Sequence, residues 1–359
     1  MKLRPEILAS PGYQQGRPAA ADAFKLSSNE NPFPPLPSVL AAATSALTLN
    51  RYPNASAPAL RSALAERLGT TADEVLIGTG AIALLQQLFL AAAGPGDEIL
   101  FSWRSFEAYV TMTTVTGATA VMVPNRADGG HDLDAMAQAI TPATRVVVVC
   151  TPNNPTGVIV TAEDFAAFME KVPSDLLVLL DEAYAEFVTD PDTVDGRTLI
   201  GRYPNLVILR TFSKAYGLAA LRVGWATGPA EILQAARLTE VLLSVTGVAE
   251  AAALASLEAE AELLERVSTI TERRTRLVDA LRAQGWNIPH SESNFIWLAL
   301  GEHTLAGAER LLDAGLVTRP FAGDGIRLSI GEEESLAPLL ATAAEILSEL
   351  PAGHPARAA

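Results

Sequence analysis

The sequence predicts an α/β protein in which a large domain, built on a mostly parallel sheet flanked by helices, is joined to a smaller α+β domain. Three observations carry this expectation. From Val75 onward, apolar runs of four to six residues alternate with stretches of helical period, which is the pattern of parallel strands buried on both faces. After about Val245 the alternation gives way to a long region rich in Ala, Leu and Glu with few breakers before Gly285. At 359 residues the chain also exceeds the roughly 150 of one typical domain. The expected division is an N-terminal arm over residues 1–40 that contributes to the small domain, a large domain over 41–244 and a C-terminal small domain over 245–359.

Taken in order, the first forty residues include Pro32, Pro34, Pro35 and Pro37, which favour an extended arm over a helix. Strands are expected at Val75–Gly78, Glu98–Phe101, Thr119–Val123, Arg145–Cys150, Leu176–Leu180, Leu206–Arg210 and Val223–Thr227. Helices are expected between them at Ala81–Ala93, Ser105–Thr114, Leu133–Ile140 and Ala162–Lys171. The small domain adds strands at Asn294–Leu300 and Gly325–Ser329. A closing helix over Glu332–Leu350 carries Leu336, Leu339, Leu340, Ala343, Ile346 and Leu347 at spacings of three and four. Pro351–Ala359 is expected to be a loose tail.

Composition narrows the function classes. Apolar residues make up 49% and charged residues 19%, far from the disordered regime. The 26 cationic and 41 acidic residues leave a net charge of −15, which repels nucleic-acid phosphates and anionic lipid. No nucleic-acid or membrane partner is therefore expected. Cys150 is the single cysteine, so an internal disulfide and a zinc–cysteine cluster are excluded. The histidines His131, His290, His303 and His354 share no ligand spacing, and no metal site is expected. Pro5, Glu6 and Pro11 interrupt any signal-peptide core, and the most apolar windows are short of the about 20 residues a membrane span needs. The expected location is the cytoplasm.

Four motifs fall at carboxyl ends of expected strands, or at the helix start that follows one. Gly78-Thr79-Gly80-Ala81-Ile82-Ala83 gives a helix N-terminus with small residues that let backbone N–H groups approach a phosphate. Thr151-Pro152-Asn153-Asn154-Pro155-Thr156-Gly157 is a stiff loop where open α/β sheets bind ligands. Asp181-Glu182-Ala183-Tyr184 and Thr211-Phe212-Ser213-Lys214-Ala215-Tyr216-Gly217, with Arg222 eight residues beyond the lysine, complete the set. Together they supply a phosphate cradle, an amide, a carboxylate, a phenol, a lysine and an arginine.

This ordered set resembles the fold-type I pyridoxal-phosphate aminotransferases. Ser27-Ser28-Asn29-Glu30-Asn31-Pro32, Arg51-Tyr52-Pro53 and Gly325-Ile326-Arg327-Leu328-Ser329-Ile330-Gly331 look like the branch that holds the histidinol-phosphate and aromatic (phenylalanine) aminotransferases. The resemblance implies pyridoxal 5'-phosphate as cofactor. Lys214 would hold its aldehyde as a Schiff base and later shuttle the proton between the substrate α-carbon and the cofactor C4′. Asp181 would keep the pyridine nitrogen protonated, Asn154 and Tyr184 would donate to the ring 3-oxygen, and Phe106 would stack on the ring. The phosphate would sit on the backbone around Gly80, Ala81 and Ile82 with Ser213 and Arg222. Tyr52 would reach it from a neighbouring subunit, which makes a homodimer the expected unit. Arg327 would clamp the substrate α-carboxylate, Arg319 and Tyr13 would touch the far end of the substrate, and Asn29 and Phe33 would line the arm.

The implied reaction moves an amino group between an amino acid and a 2-oxo acid such as 2-oxoglutarate. Phenylalanine or tyrosine is the expected amino donor, with histidinol phosphate as the alternative. Asn31-Pro32-Phe33-Pro34 and Trp103-Arg104-Ser105-Phe106 depart from the commonest histidinol-phosphate pattern, which has Tyr-Gly after the first proline and Pro-Thr-Tyr in the second stretch, and resemble the aromatic branch. A related pyridoxal-phosphate decarboxylase is a competitor. A non-catalytic regulator on the same fold would need a partner-binding or DNA-binding extension, and none is visible. A nicotinamide dehydrogenase would use the Gly78–Ala83 turn but lacks the acid at the end of the next strand, where the chain reads Phe101-Ser102-Trp103-Arg104.

Overall fold

The computed structural model describes residues 2–10, 12, 19–20 and 22–358. Its strands are β1 (Phe24–Lys25), β2 (Val75–Gly78), β3 (Glu98–Trp103), β4 (Thr119–Pro124), β5 (Thr144–Cys150), β6 (Leu177–Asp181), β7 (Leu206–Thr211), β8 (Gly224–Thr227), β9 (Phe295–Leu298), β10 (Leu316–Val317), β11 (Arg319–Phe321) and β12 (Gly325–Ser329). Seven of them form one sheet in the order β2-β8-β7-β6-β5-β3-β4. Only β8 runs against the others, pairing antiparallel with both β2 and β7.

Alternation along each central strand explains why both sheet faces are dry. Val146, Val148 and Cys150 pack on one side with Leu179, Leu209, Phe101 and the helix Ala81–Ala92. Val147 and Val149 pack on the other with Val178, Leu180, Ile208 and the helix Ala162–Met169. Successive side chains point to opposite faces, so an unbroken apolar run fills two cores at once. Each buried Val or Leu contributes about 1.5–3 kcal/mol.

A third core joins the helices Pro37–Ser45, Pro58–Leu68 and Gly247–Glu258 to β2 and β8 through Leu60, Ile77, Trp225, Ala249 and Ala253. The packing of the large sheet therefore continues past residue 245. The fourth core holds the three-stranded sheet β11-β12-β9, the long helix Glu260–Gln284 and the closing helix Leu336–Glu349. Leu26 of the arm is part of it, and β1 pairs parallel with β10.

Two segments differ from the sequence expectation. The arm is not extended throughout, because helices form at Pro5–Ala9 and Pro37–Ser45, each with proline in its first turn, where its fixed φ and missing N–H cost nothing. The C-terminal residues are docked rather than loose. Asn287 N donates to Ala356 O at 2.8 Å, Ala358 N to Gly285 O at 2.8 Å, and Arg357 caps the carbonyls of Leu347 and Leu350. Ala356 is fully buried.

Candidate active site

Three neighbouring parallel strands end side by side, and their last residues define the site. Cys150 of β5 is in register with Asp181 of β6, and Asp181 with Leu209 of β7, so the loops that follow leave the same edge of the sheet about 4.8 Å apart. Those loops carry Asn154, Tyr184 and Lys214. Beyond β7, Gly224 of β8 is in register with both Thr211 and Gly78. That register brings the start of the helix Ala81–Ala92 beside Ser213 and places Arg222, just before β8, between them. A Cβ on Gly224 would lie 2.8 Å from Ala81 N, so only glycine permits this approach.

The loops enclose a cavity of about 370 Å³. Of the residues expected from the sequence, Asn29, Ala81, Ile82, Phe106, Asn154, Asp181, Tyr184, Ser213, Lys214, Arg222, Arg319 and Arg327 line it. Gly80 supports it from behind: its φ is +83° and a Cβ there would meet Arg222 Nη2 at 2.6 Å. Tyr52 is exposed and lies away from the cavity in the single chain. Tyr13 falls outside the described residues. Phe33 does not line the cavity; its ring packs on the small-domain core with the guanidiniums of Arg266 and Arg273 5.7 and 5.3 Å away. The expected arm contact is thus corrected: Asn29 faces the site and Phe33 does not.

At one end of the cavity is an anion cradle. The helix Ala81–Ala92 begins after Gly80 with no side-chain cap, which leaves its first N–H groups and the positive end of its dipole pointing outward. Arg222 donates from Nη1 to Ser213 Oγ at 3.1 Å, and both side chains face the same space.

In the floor, burial pushes Asp181 up to about 6, against the hydrogen bonds it accepts. Its Oδ2 accepts from Tyr109 Oη at 2.6 Å and its Oδ1 from Ala183 N at 3.3 Å. Tyr109 is fully buried, and burial with the adjacent carboxylate raises its phenol, so it is the donor. Nothing in the sequence marked Tyr109 as functional; its place three residues after Phe106 was the available signal.

Lys214 also lines the cavity and donates from Nζ to Ser28 O at 3.1 Å. Burial, together with the charges of Arg327 and Arg222, lowers its amine to about 7, against the pull of Glu30. Arg327 is held by bonds from Nη1 to Asn154 Oδ1 and from Nη2 to Ser27 O, both at 2.7 Å. Asn29, at φ +53°, donates from Nδ2 to Tyr184 Oη at 3.0 Å. With Asn154 Oδ1 and Tyr184 Oη both accepting from neighbours, the amide NH₂ and the phenolic proton remain to be donated into the cavity. Arg319, the cross-strand neighbour of Arg327, pairs with Glu107, Nη2 to Oε2 at 2.7 Å.

Among the described residues no group of three or more His, Cys, Asp or Glu side chains could hold a metal ion, and no helix is long and apolar enough to cross a membrane. What the site does offer is an anion cradle, a buried carboxylate, two directed donors and an amine deprotonated near neutrality. These suit a phosphate, a basic ring nitrogen, a phenolate-type oxygen and an aldehyde on one small molecule.

Comparison with known proteins agrees with this inventory. The family description "Aminotransferase class I and II" matches residues 21–342. The aromatic amino acid aminotransferase of Streptomyces coelicolor is 49% identical over 353 residues, covering 97% of this chain and 98% of its own. That of Thermobifida fusca is 50% identical over 333 residues, 92% of each chain. The crystal structure of histidinol-phosphate aminotransferase from Sinorhizobium meliloti in complex with pyridoxal-5'-phosphate superposes with a TM-score of 0.88 at 28% identity, covering 98% of both chains.

Proposed function

The chain belongs to the class I and II aminotransferases, and from that premise we propose that it uses pyridoxal phosphate to move an amino group between phenylalanine or tyrosine and a 2-oxo acid such as 2-oxoglutarate. The observation that carries the substrate class is the aromatic surface of the cavity beside the carboxylate clamp. Phe321 lies there with the Arg327 guanidinium 5.9 Å from its ring, and the neighbouring cation, Arg319, is already paired with Glu107. An aromatic ring gains about 2–3 kcal/mol from burial against such a surface. The relatives at about half identity carry the same substrate class in their names.

When bound, pyridoxal phosphate supplies an electrophilic carbonyl and an electron-accepting ring. The residues of this chain do the rest. Ala81, Ile82, Ser213 and Arg222 hold the phosphate, and Asn154 and Tyr184 donate to the ring oxygen. Asp181, braced by Tyr109, keeps a proton on the ring nitrogen. Phe106 covers one ring face, and Arg327 takes the substrate α-carboxylate through its planar fork. Lys214 would hold the cofactor through its carbonyl group and, as a neutral amine, would move the proton between the substrate α-carbon and the cofactor C4′.

The same reading includes a cytoplasmic homodimer. Leu238, Val241 and Leu242 are 75–87% exposed, an apolar stretch that a second subunit would cover. Tyr52 would then reach the phosphate of the neighbouring site. The test is the ratio of kcat/KM for phenylalanine to that for histidinol phosphate, with 2-oxoglutarate as acceptor, on one preparation at one pH. The proposal expects the aromatic substrate to lead. A tenfold lead for histidinol phosphate would replace it, with Arg319 as the clamp for the ester.

A further inference from the structure

Tyr216 belongs to the lysine motif, yet it is not among the residues that line the cavity and the reaction as described gives it no task. Its ring borders two cores at once, the one that joins the helices Pro58–Leu68 and Gly247–Glu258 to β2 and β8 and the one that holds the small sheet and the helix Glu260–Gln284. Its Oη donates to Glu260 Oε1 at 3.0 Å. Burial and the nearby carboxylates of Glu186 and Glu260 raise the phenol, which keeps it the donor. Glu260 opens the long helix after a one-residue break at Ala259, with φ −94° and ψ 18°. Here the chain passes from one core to the other: Ala253 and Leu257 pack in the first, Val267 and Ile270 in the second. The second oxygen of Glu260 accepts from Arg67 Nη1 at 2.8 Å, and Arg67 also donates to Leu257 O, so the carboxylate is fixed across the break.

The same turn is gripped from its other side by the arm. Asn31 Nδ2 donates to Ala215 O at 2.9 Å and Lys214 Nζ to Ser28 O at 3.1 Å, while Leu26 of the arm is buried in the small-domain core. Within the turn, Gly217 N donates to Lys214 O at 3.1 Å and Leu218 N to Phe212 O at 2.9 Å. We infer that Tyr216 and Glu260 are positioning residues, a hydrogen-bonded pair that ties the turn carrying Lys214 to the crossover between the two domains and so sets where the lysine amine stands relative to the substrate α-carbon. The inference rests on the aminotransferase reading above and deepens it. A lysine amine ends four flexible carbons, so its aim depends on the backbone beneath it, and a misplacement of about 1 Å at the reacting atoms costs about 100-fold in rate. Because the phenol lies outside the cavity, its loss leaves the phosphate cradle and Arg327 as they are.

The test uses the holoenzyme with Tyr216→Phe, which keeps the ring contact with Phe212, centroids 4.9 Å apart, and deletes the hydroxyl. The kcat for phenylalanine with 2-oxoglutarate should fall about tenfold, while KM for phenylalanine and the cofactor Kd stay within about twofold. Hydrogen exchange should quicken about tenfold at the amides of Gly217 and Leu218. Glu260→Ala should reproduce these changes, and the double variant should be no slower than either single one, because both remove the same bond. Glu260→Gln, whose amide oxygen still accepts from the phenol, should restore most of kcat. Unchanged kcat in a folded, cofactor-loaded Tyr216→Phe enzyme, losses that multiply in the double variant, or a loss confined to KM or to cofactor Kd would overturn the inference. Should Glu260→Ala fold poorly, the kcat-against-KM split and the exchange rates of Tyr216→Phe decide by themselves. Absence of aromatic transamination in the unmodified enzyme would instead overturn the reading beneath it.

Discussion

Replacing Tyr109 by phenylalanine isolates the brace beneath the ring nitrogen. The phenol donates to Asp181 Oδ2 at 2.6 Å, and its ring packs between Phe101 and Phe106 with centroids 5.5 Å from each. Phenylalanine keeps that packing and deletes one hydrogen bond. A bond to a charged acceptor is worth about 1.5–3 kcal/mol, and 1.36 kcal/mol corresponds to one pKa unit. Asp181, already pushed up to about 6 by burial, should therefore rise by about one to two units more. Because the carboxylate is the active form, the sign is fixed: the acid limb of the kcat/KM profile moves to higher pH by that amount. A protonated ring nitrogen lowers Asp181 in both proteins, so the difference between them survives cofactor binding. The assay is the pH profile of phenylalanine transamination for both proteins, with thermal melts as the folding control. A well-folded Tyr109→Phe enzyme whose acid limb has not moved would refute the reasoning.

Three further outcomes follow from the same geometry. Gly80→Ala places a methyl 2.6 Å from Arg222 Nη2 at a backbone φ of +83° and ψ of 165°, a region that costs non-glycine residues about 1–3 kcal/mol; cofactor titration should show at least a tenfold weaker Kd, and an unchanged Kd would contradict the cradle. In the apoprotein, the rate of covalent attachment to Lys214 should climb as pH rises to about 7 and level off above it, because only the neutral amine reacts; stopped-flow absorbance that keeps climbing to pH 10 would indicate an ordinary lysine. Leu242→Glu puts a charge in the exposed apolar stretch and should convert a dimer to monomers by light scattering with loss of activity; a dimer unaffected by the change would move the interface elsewhere.

The parallel strands were legible because their signal is local: Arg145–Cys150 is apolar at every position after the arginine, and a strand buried on both faces needs nothing else. The motifs at their ends were legible for the same reason. What the sequence left hidden depends on register or on distance along the chain. Asp181 was expected just beyond a strand ending at Leu180, yet it is the last ladder residue of β6, bonded to a tyrosine 72 positions earlier. Glu107 and Arg319, 212 residues apart, meet only because β11 lies over the loop after β3. The C-terminal residues resemble a tail in composition, and their docking arises from backbone pairing with residues 285–287 that no local pattern encodes. Glu107 also replaces no helix signal: the helix expected from Ser105 begins at Ala108, which leaves Phe106 and Glu107 in the turn facing the cavity.

The most direct test of the central claim is a single half-reaction. Holoenzyme mixed with excess phenylalanine and no acceptor should release one equivalent of phenylpyruvate per subunit and stop, then resume on addition of 2-oxoglutarate, with borohydride reduction of the resting enzyme followed by peptide mapping leaving a pyridoxyl group on Lys214. Continuous turnover without acceptor, release of carbon dioxide, or a label on another lysine with Lys214 unmodified would contradict it.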